Sequence, residues 1–465
     1  MAQTGRDDDH TIDALHAPVA KGNARAGRLA GWCWSLLLTT VLVIGGANVA
    51  YPLMRVLCGV LGGLAMAVAL TSRHSQWARF GWTDGIVAGI VLVFVIQIIP
   101  MPPALWTLLP GREAIAVIDR EVFGQLQWRP ITIDSEATFQ SAAFIIPFIG
   151  IYLAWRSGNG PRREGMVRGI WIALAIAVAL GLLQLAGLGM LHPYPVESDN
   201  EFGNGFFTNH NHQATFVLMA AALAVALGRG LPRAIGEGRV LGLAVGVSLA
   251  VLASGSRAGV VLMAAVLALL AAGWAASRLR PASRGGRFGR GYLLGGALLG
   301  VTLVGAVSAM IGADRFAMGR GALGEDQRFE MTPIAWKAIG QFWPTGSGFG
   351  TFQVPYRQVE PVEAVRMLNV MHAHNDLLEA LVEGGVLALL LIAAALIRIG
   401  CLARKGWRQK GETRVRSALV AVALMVPLAH SLVDYPLRTM AISVLFALAL
   451  AALDTNTSNA SAMNA

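Results

Sequence analysis

The chain has 465 residues, 55% of them hydrophobic and only 14% charged, with a mean hydropathy of +0.58 and a formal net charge of +10. That balance excludes an ordinary soluble protein, which at this length would divide into two or three domains with charged surfaces. Cys33, Cys58 and Cys401 lie in or next to apolar runs, at spacings that suit neither a disulfide framework nor a metal site.

Taken in chain order, residues 1–29 are polar, with Asp7, Asp8, Asp9, Lys21, Arg25 and Arg28, and read as a mobile cytosolic tail. Apolar runs follow at 30–47, 50–71, 83–100, 139–155, 167–190, 211–228, 240–254, 258–276, 291–312, 380–398, 416–432 and 437–453. Most have the length of about 17 to 22 residues that a helix needs to cross a hydrocarbon core of roughly 30 Å. They are continuous in Leu, Val, Ala and Ile and lack the alternation of barrel strands. The fold class is therefore all-α, a polytopic membrane protein of about twelve transmembrane helices. Nine spans fill 30–312, three fill 380–453, residues 313–379 form one large external loop, and 454–465 are a second cytosolic tail. No small-residue cleavage site follows the first run, which reads as a retained helix.

Basic residues orient the bundle. With the N-terminus in the cytosol, 25 of the 37 Lys and Arg fall on that side, in 1–29, 72–81, 156–168, 229–239, 277–290 and 398–416. Every cytosolic segment is basic, as the positive-inside rule requires, so both termini are expected in the cytosol of a bacterial inner-membrane protein surrounded by lipid. The same count removes nucleic acid as a partner, because the cations are spread over topology-setting loops.

Three external segments remain, and a loop longer than about 15 residues is usually functional. Residues 101–138 hold Trp106, Arg112, Asp119, Trp128 and Arg129. Residues 191–210 lead into Gly205-Phe206-Phe207-Thr208-Asn209-His210-Asn211-His212. Residues 313–379 hold Arg315, Arg320, Arg328, Lys337, Arg357, Arg366, His372 and His374. In that last loop Ile334–Phe342 has the pattern of a short amphipathic helix, ended by Pro344 and a turn spaced by Gly346, Gly348 and Gly350. Asn375 or Asp376 is a natural N-cap for the next helix, which places His374 at its entrance; Glu379 and Glu383, four apart, share a face.

The order Arg328…Trp336…Pro344-x-Gly346-x-Gly348-x-Gly350-x-Phe352…His374-Asn375-x-x-Leu378…Glu383-x-Gly385 resembles the signature of the O-antigen ligase and O-antigen polymerase superfamily. Gly205-x-Phe207-x-Asn209-x-Asn211, Ser254-Gly255-Ser256-Arg257 and His430-Ser431-x-x-Asp434-Tyr435-Pro436-Leu437-Arg438 resemble further motifs of that family, in order and on the external side. The resemblance implies a GT-C-like glycosyltransferase whose donor is an undecaprenyl-diphosphate-linked glycan. The acceptor is lipid A-core for a ligase, or a growing glycan for a polymerase. It also implies His374 as general base or acceptor orienter, and Arg328 and Arg257 on the diphosphate, with no metal and no other cofactor. Relatives often carry Arg where this chain has His210, so His210 is a third diphosphate candidate. Asn375, Glu383, Asn209, Asn211, Asp434 and Arg438 are supporting residues. The Asn211-His212 and Asp434-Tyr435-Pro436-Leu437-Arg438 segments are similar to those of many exopolysaccharide proteins, which keeps a polymerase beside a ligase.

Each residue also has a plainer reading: Arg328 in a surface ion pair, Arg257 snorkelling to headgroups, His374 as an inert cap, Glu383 and Asp434 at solvated helix ends, and the three glycines as a turn rather than a phosphate cradle. His372, His374 and Asp376 have a metal-like spacing, but no further His completes it. A secondary transporter would show two related halves, which this sequence lacks. A non-enzymatic assembly protein would tolerate replacement of His374 and Arg328.

Overall fold

A computed structural model describes residues 9–47, 51–72, 77, 80–194, 203–228, 237–278, 327–365 and 370–462. Fifteen α-helices and no strands occur among them: α1 (Asp9–Ile44), α2 (Pro52–Thr71), α3 (Trp82–Ile98), α4 (Pro103–Trp106), α5 (Glu113–Phe123), α6 (Ser135–Arg156), α7 (Gly160–Leu185), α8 (His210–Leu227), α9 (Glu237–Ala253), α10 (Arg257–Arg278), α11 (Gln327–Phe342), α12 (Gln353–Val359), α13 (Asp376–Trp407), α14 (Gly411–His430) and α15 (Met440–Ala462). Seven of these, α1, α2, α6, α7, α13, α14 and α15, are long and apolar enough to cross a membrane, and α3, α9 and α10 contain shorter apolar helices. The chain is a multi-pass helical membrane protein. The run at 291–312 and residues Arg315, Arg320 and Arg366 lie outside the described residues.

Several helices outrun their apolar segments. α1 reaches back to Asp9, into the segment read as a mobile tail, and α15 runs on to Ala462, through most of the segment read as the second tail. Hydropathy marks where lipid begins, whereas a helix ends at a cap, a Gly or a Pro, and α15 contains neither Gly nor Pro. The two closely joined pairs do separate. α9 and α10 part at Ser254-Gly255-Ser256, with Gly255 at φ 67°, and α14 and α15 part across residues 431–439.

α15 is the axis of the bundle: 94% of the residues in 440–457 are buried, against 17–44% of the best apolar window in each of the other six long helices. In lipid, helix association relies on close van der Waals packing rather than on the hydrophobic effect. Small residues supply that closeness. A Cβ on Gly150 of α6 would lie 2.0 Å from the Gly62 carbonyl oxygen of α2, and one on Gly165 of α7 would lie 2.1 Å from that of Gly31 in α1.

Polar contacts sort the links into two ends. At one end Thr208 N donates to Gly46 O (3.3 Å), Ala441 N to Gly45 O (3.1 Å), Gly203 N to Ala253 O (2.8 Å) and Asp376 N to Ser431 O (3.1 Å). At the other, Asp84 at the start of α3 accepts from Arg156 Nη2 of α6 (2.6 Å) and Tyr152 OH (2.8 Å). Asp454 of α15 joins Arg156 (3.3 Å) to Arg398 of α13 (2.6 Å), which also donates to Thr83 (2.9 Å). The first end carries the segments the sequence reads as external, and the second those it reads as cytosolic.

Candidate functional site

α13 is broken near its start. Gly385 has φ 53° and ψ −138°, a conformation that side-chain-bearing residues avoid, and the break frees the carbonyls of the turn before it. The glycine-spaced turn fills the gap. Ser347 N donates to Val382 O (2.9 Å), Gly348 N to Glu383 O (2.9 Å) and Val386 N to Pro344 O (2.8 Å). Gly350 N and Phe352 N donate to the Glu383 carboxylate (2.9 and 3.2 Å), and Phe349 N to Gln97 of α3 (2.9 Å). These amides are spent inside the protein, so the turn is a structural strap and not a phosphate cradle. Arg112, which the sequence reading noted in the 101–138 segment without giving it a role, is buried under the same strap. It donates to Ile131 O, to Gly346 O (2.9 Å) and to Pro110 O (3.1 Å), and burial pushes its guanidinium down to about 10.

The first turn of α13 is clamped to the link between α14 and α15. Asn375 is the N-cap: its Oδ1 accepts from Leu377 N (3.0 Å) and Leu378 N (3.1 Å), and its Nδ2 donates to Leu432 O (3.0 Å). Asp376 Oδ2 accepts from Ser431 Oγ (2.6 Å) and Leu437 N (3.1 Å). Glu379 and Glu383 do share a face, and both meet Arg438, at 3.0 and 2.6 Å, with Asp376 at 4.0 Å. Glu383 therefore joins the strap to Arg438. Burial alone would lower the Arg438 guanidinium, but Glu379, Glu383 and Asp376 outweigh it and hold it above its ordinary range.

His374 sits immediately before this clamp with φ 47°, the one non-glycine residue with positive φ among the described residues. Its Nδ1 lies 3.3 Å from Asp434 Oδ1; Asp434 is fully buried while the histidine side chain is 33% exposed. Tyr435 N also donates to Asp434 Oδ1 (3.0 Å). Burial would raise the Asp434 carboxyl, but the His374 hydrogen bond and the imidazoles of His212, His374 and His430 hold it well below the usual carboxylate range. Asp434 is thus a fixed anion that orients an accessible imidazole.

The start of α8 packs beside this pair. Asn209 caps the helix, its Oδ1 accepting from Asn211 N (2.8 Å), and its Nδ2 lies 3.5 Å from His212 Nε2. His212 Nδ1 meets Thr439 Oγ1 (2.7 Å). Asn211 Oδ1 accepts from Ser256 Oγ (2.7 Å), which brings the N-terminus of α10, and exposed Arg257 beside it, to the same end. His210 is half-buried in the first turn of α8. Arg328 lies on α11, three and seven residues before Met331 and Ala335, which pack in one apolar cluster with Leu378, Leu381 and Val382 of α13. The Arg328 side chain itself is outside the described residues.

The geometry thus gathers His374, Asn375, Glu383, Asp434, Arg438, Asn209 and Asn211 into one continuous network. His212, Thr439, Tyr435 and Glu379 belong to it as well, although the sequence reading gave them no role. His372, His374 and Asp376 turn to three different partners, Glu379, Asp434 and Ser431. No group of three metal-ligating side chains converges among the described residues.

Residues 241–393 match the family model described as O-antigen ligase. That stretch, roughly a third of the chain, is similar to the O-antigen ligase family. That family comprises glycosyltransferase-like enzymes of polysaccharide biosynthesis. No curated protein matches the chain significantly. The ligase segment takes in Ser256, Arg257, Arg328, the strap and the His374–Glu383 turn. The 205–212 and 430–438 segments lie outside it, yet Asn211 bonds Ser256, Asp434 bonds His374 and Arg438 bonds Glu383, so all three stretches build one site.

Proposed function

We propose that this O-antigen ligase homologue is a bacterial inner-membrane glycosyltransferase that moves a glycan from undecaprenyl diphosphate to an acceptor hydroxyl at the periplasmic face. The observation that carries the proposal is the exposed imidazole of His374, fixed through Nδ1 by the buried Asp434 carboxylate. With Nδ1–H committed to Asp434, Nε2 is the atom that takes a proton from the acceptor. The acceptor oxygen attacks the anomeric carbon, the bond from that carbon to phosphate breaks, and its electron pair leaves with the lipid diphosphate. Arg328 and Arg257, with His210, are assigned to the charge that develops there, bidentate arginines serving in place of a divalent metal.

The acceptor for the ligase reading is lipid A-core. A repeat-unit polymerase for O-antigen or exopolysaccharide is the second reading, favoured by the Asn211-His212 and Asp434–Arg438 segments, and differs only in using a growing glycan. Both are tested with purified protein in lipid, supplied with the lipid-linked glycan and either acceptor in the presence of EDTA. Wild type is expected to transfer, and His374→Ala to lose about 10²- to 10⁴-fold in rate, the usual contribution of a general base. Wild-type rates in His374→Ala would remove His374 from the chemistry, and a loss in EDTA restored by a divalent ion would replace the arginine account with a metal.

A further inference from the structure

Two histidine–carboxylate pairs, not one, stand at the mouth of the site. His374 Nδ1 lies 3.3 Å from Asp434 Oδ1, and His372 Nδ1 lies 2.8 Å from Glu379 Oε1. Both imidazoles contact one ring: the Tyr435 centroid is 4.3 Å from that of His372 at an interplanar angle of 30°, and 5.0 Å from that of His374 at 68°. The carboxylates are buried, whereas His372 and His374 keep 20% and 33% of their side chains open. With Nδ1 engaged and the ring against Tyr435, the Nε2 edge of each histidine is left for a ligand. Among the described residues neither Nε2 has a hydrogen-bond partner.

The two pairs differ in their electrostatic surroundings. Asp434 lies among imidazoles. Glu379 lies in a cluster where one guanidinium, Arg438, faces Glu379, Glu383 and Asp376 at 3.0, 2.6 and 4.0 Å. His372 is the next basic group, facing Glu379 directly, with Tyr435 against its ring and His374 across that ring.

We infer that His372, held by Glu379, is a donor-binding residue whose Nε2–H gives a charge-assisted hydrogen bond to an anionic oxygen of the lipid-linked diphosphate. This rests on the transferase reading above and adds to it a division of labour: His374 takes the acceptor proton while His372 holds the leaving group. No covalent bond is made or broken at His372.

The test is direct binding of undecaprenyl diphosphate to the purified full-length protein in lipid. His372→Leu is expected to weaken binding by at least about tenfold, the size of one lost charge-assisted hydrogen bond. His372→Gln, whose amide N–H stands near the place of Nε2–H, is expected to stay within a few-fold of wild type, and His374→Gln to bind normally while losing transfer. Binding by His372→Leu equal to wild type, in protein that elutes as wild type, overturns the inference and leaves the transferase reading standing. If His372→Leu fails to fold, His372→Asn decides: its amide stands near the place of Nδ1 and does not reach that of Nε2, so binding is expected to weaken as much as expected for His372→Leu, and binding equal to wild type overturns the inference. Wild type that binds no undecaprenyl diphosphate rejects the transferase reading and this inference together.

Discussion

His374 carries a left-handed backbone at φ 47°, a conformation that costs a residue with a Cβ about 1–2 kcal/mol. The cost is offset by what surrounds it: the Asn375 cap on one side, and Asp434 and Tyr435 on the other. A strained, exposed imidazole oriented by a buried anion is how a general base is prepared. Asp434→Asn is therefore expected to lower kcat by about a hundredfold or more while leaving KM for the lipid-linked donor near its wild-type value. A rise in KM with kcat unchanged would make Asp434 part of the donor site instead. His374, Asn375, Glu383 and Asp434 were legible in the sequence because each sits in a local motif. The partners were not. Asp434 meets His374 across 60 residues and Thr439 meets His212 across 227, and nothing in the local spacing encodes those meetings. Arg438 was legible as a motif residue, but its role as a clamp among three carboxylates came only from the fold.

At the scale of elements, the strap and the break in α13 are two halves of one feature. The Pro344–Phe352 segment supplies amides, the Val382–Gly385 segment supplies freed carbonyls and the Glu383 carboxylate, and Gln97 of α3 bonds both Phe349 N and Glu383 O. The sequence showed both segments and left the glycines open between a turn and a phosphate cradle. Only the count of engaged amides decides for the turn. Gly348 has φ 106°, and a Cβ there would lie 2.0 Å from Thr132 Oγ1. Gly348→Ala is expected to lower thermal stability, by at least about 1–2 kcal/mol from the backbone alone. Gly340→Ala, in α11 with nothing within 4 Å of the added carbon, is expected to stabilise by about 0.5–1 kcal/mol. Equal melting temperatures for the two variants would contradict the strap.

At the scale of the molecule, the sequence told most about the spans, because lipid imposes a length and composition that soluble folds do not. It told less about where helices end, as α15 and its buried Asp454 illustrate, since a charge inside the bundle is tolerated only when partners such as Arg156 and Arg398 meet it. The sorting of polar contacts into two ends predicts that exposed Gln358 and exposed Lys410 lie on opposite sides of the membrane. In variants lacking the native cysteines, Gln358→Cys is expected to react with an impermeant thiol reagent in intact spheroplasts, and Lys410→Cys only after lysis; the reverse pattern would invert the protein.

The most direct measurement of the central claim is the glycan profile of a deletion strain complemented with wild type or His374→Ala at matched expression, separating lipid A-linked glycan from free polymer. The account predicts that wild type restores the missing glycan and His374→Ala does not. Loss of capped core without long chains would indicate an O-antigen ligase or polymerase, and loss of free polymer an exopolysaccharide polymerase. Full restoration by His374→Ala would contradict the account and place the chemistry elsewhere.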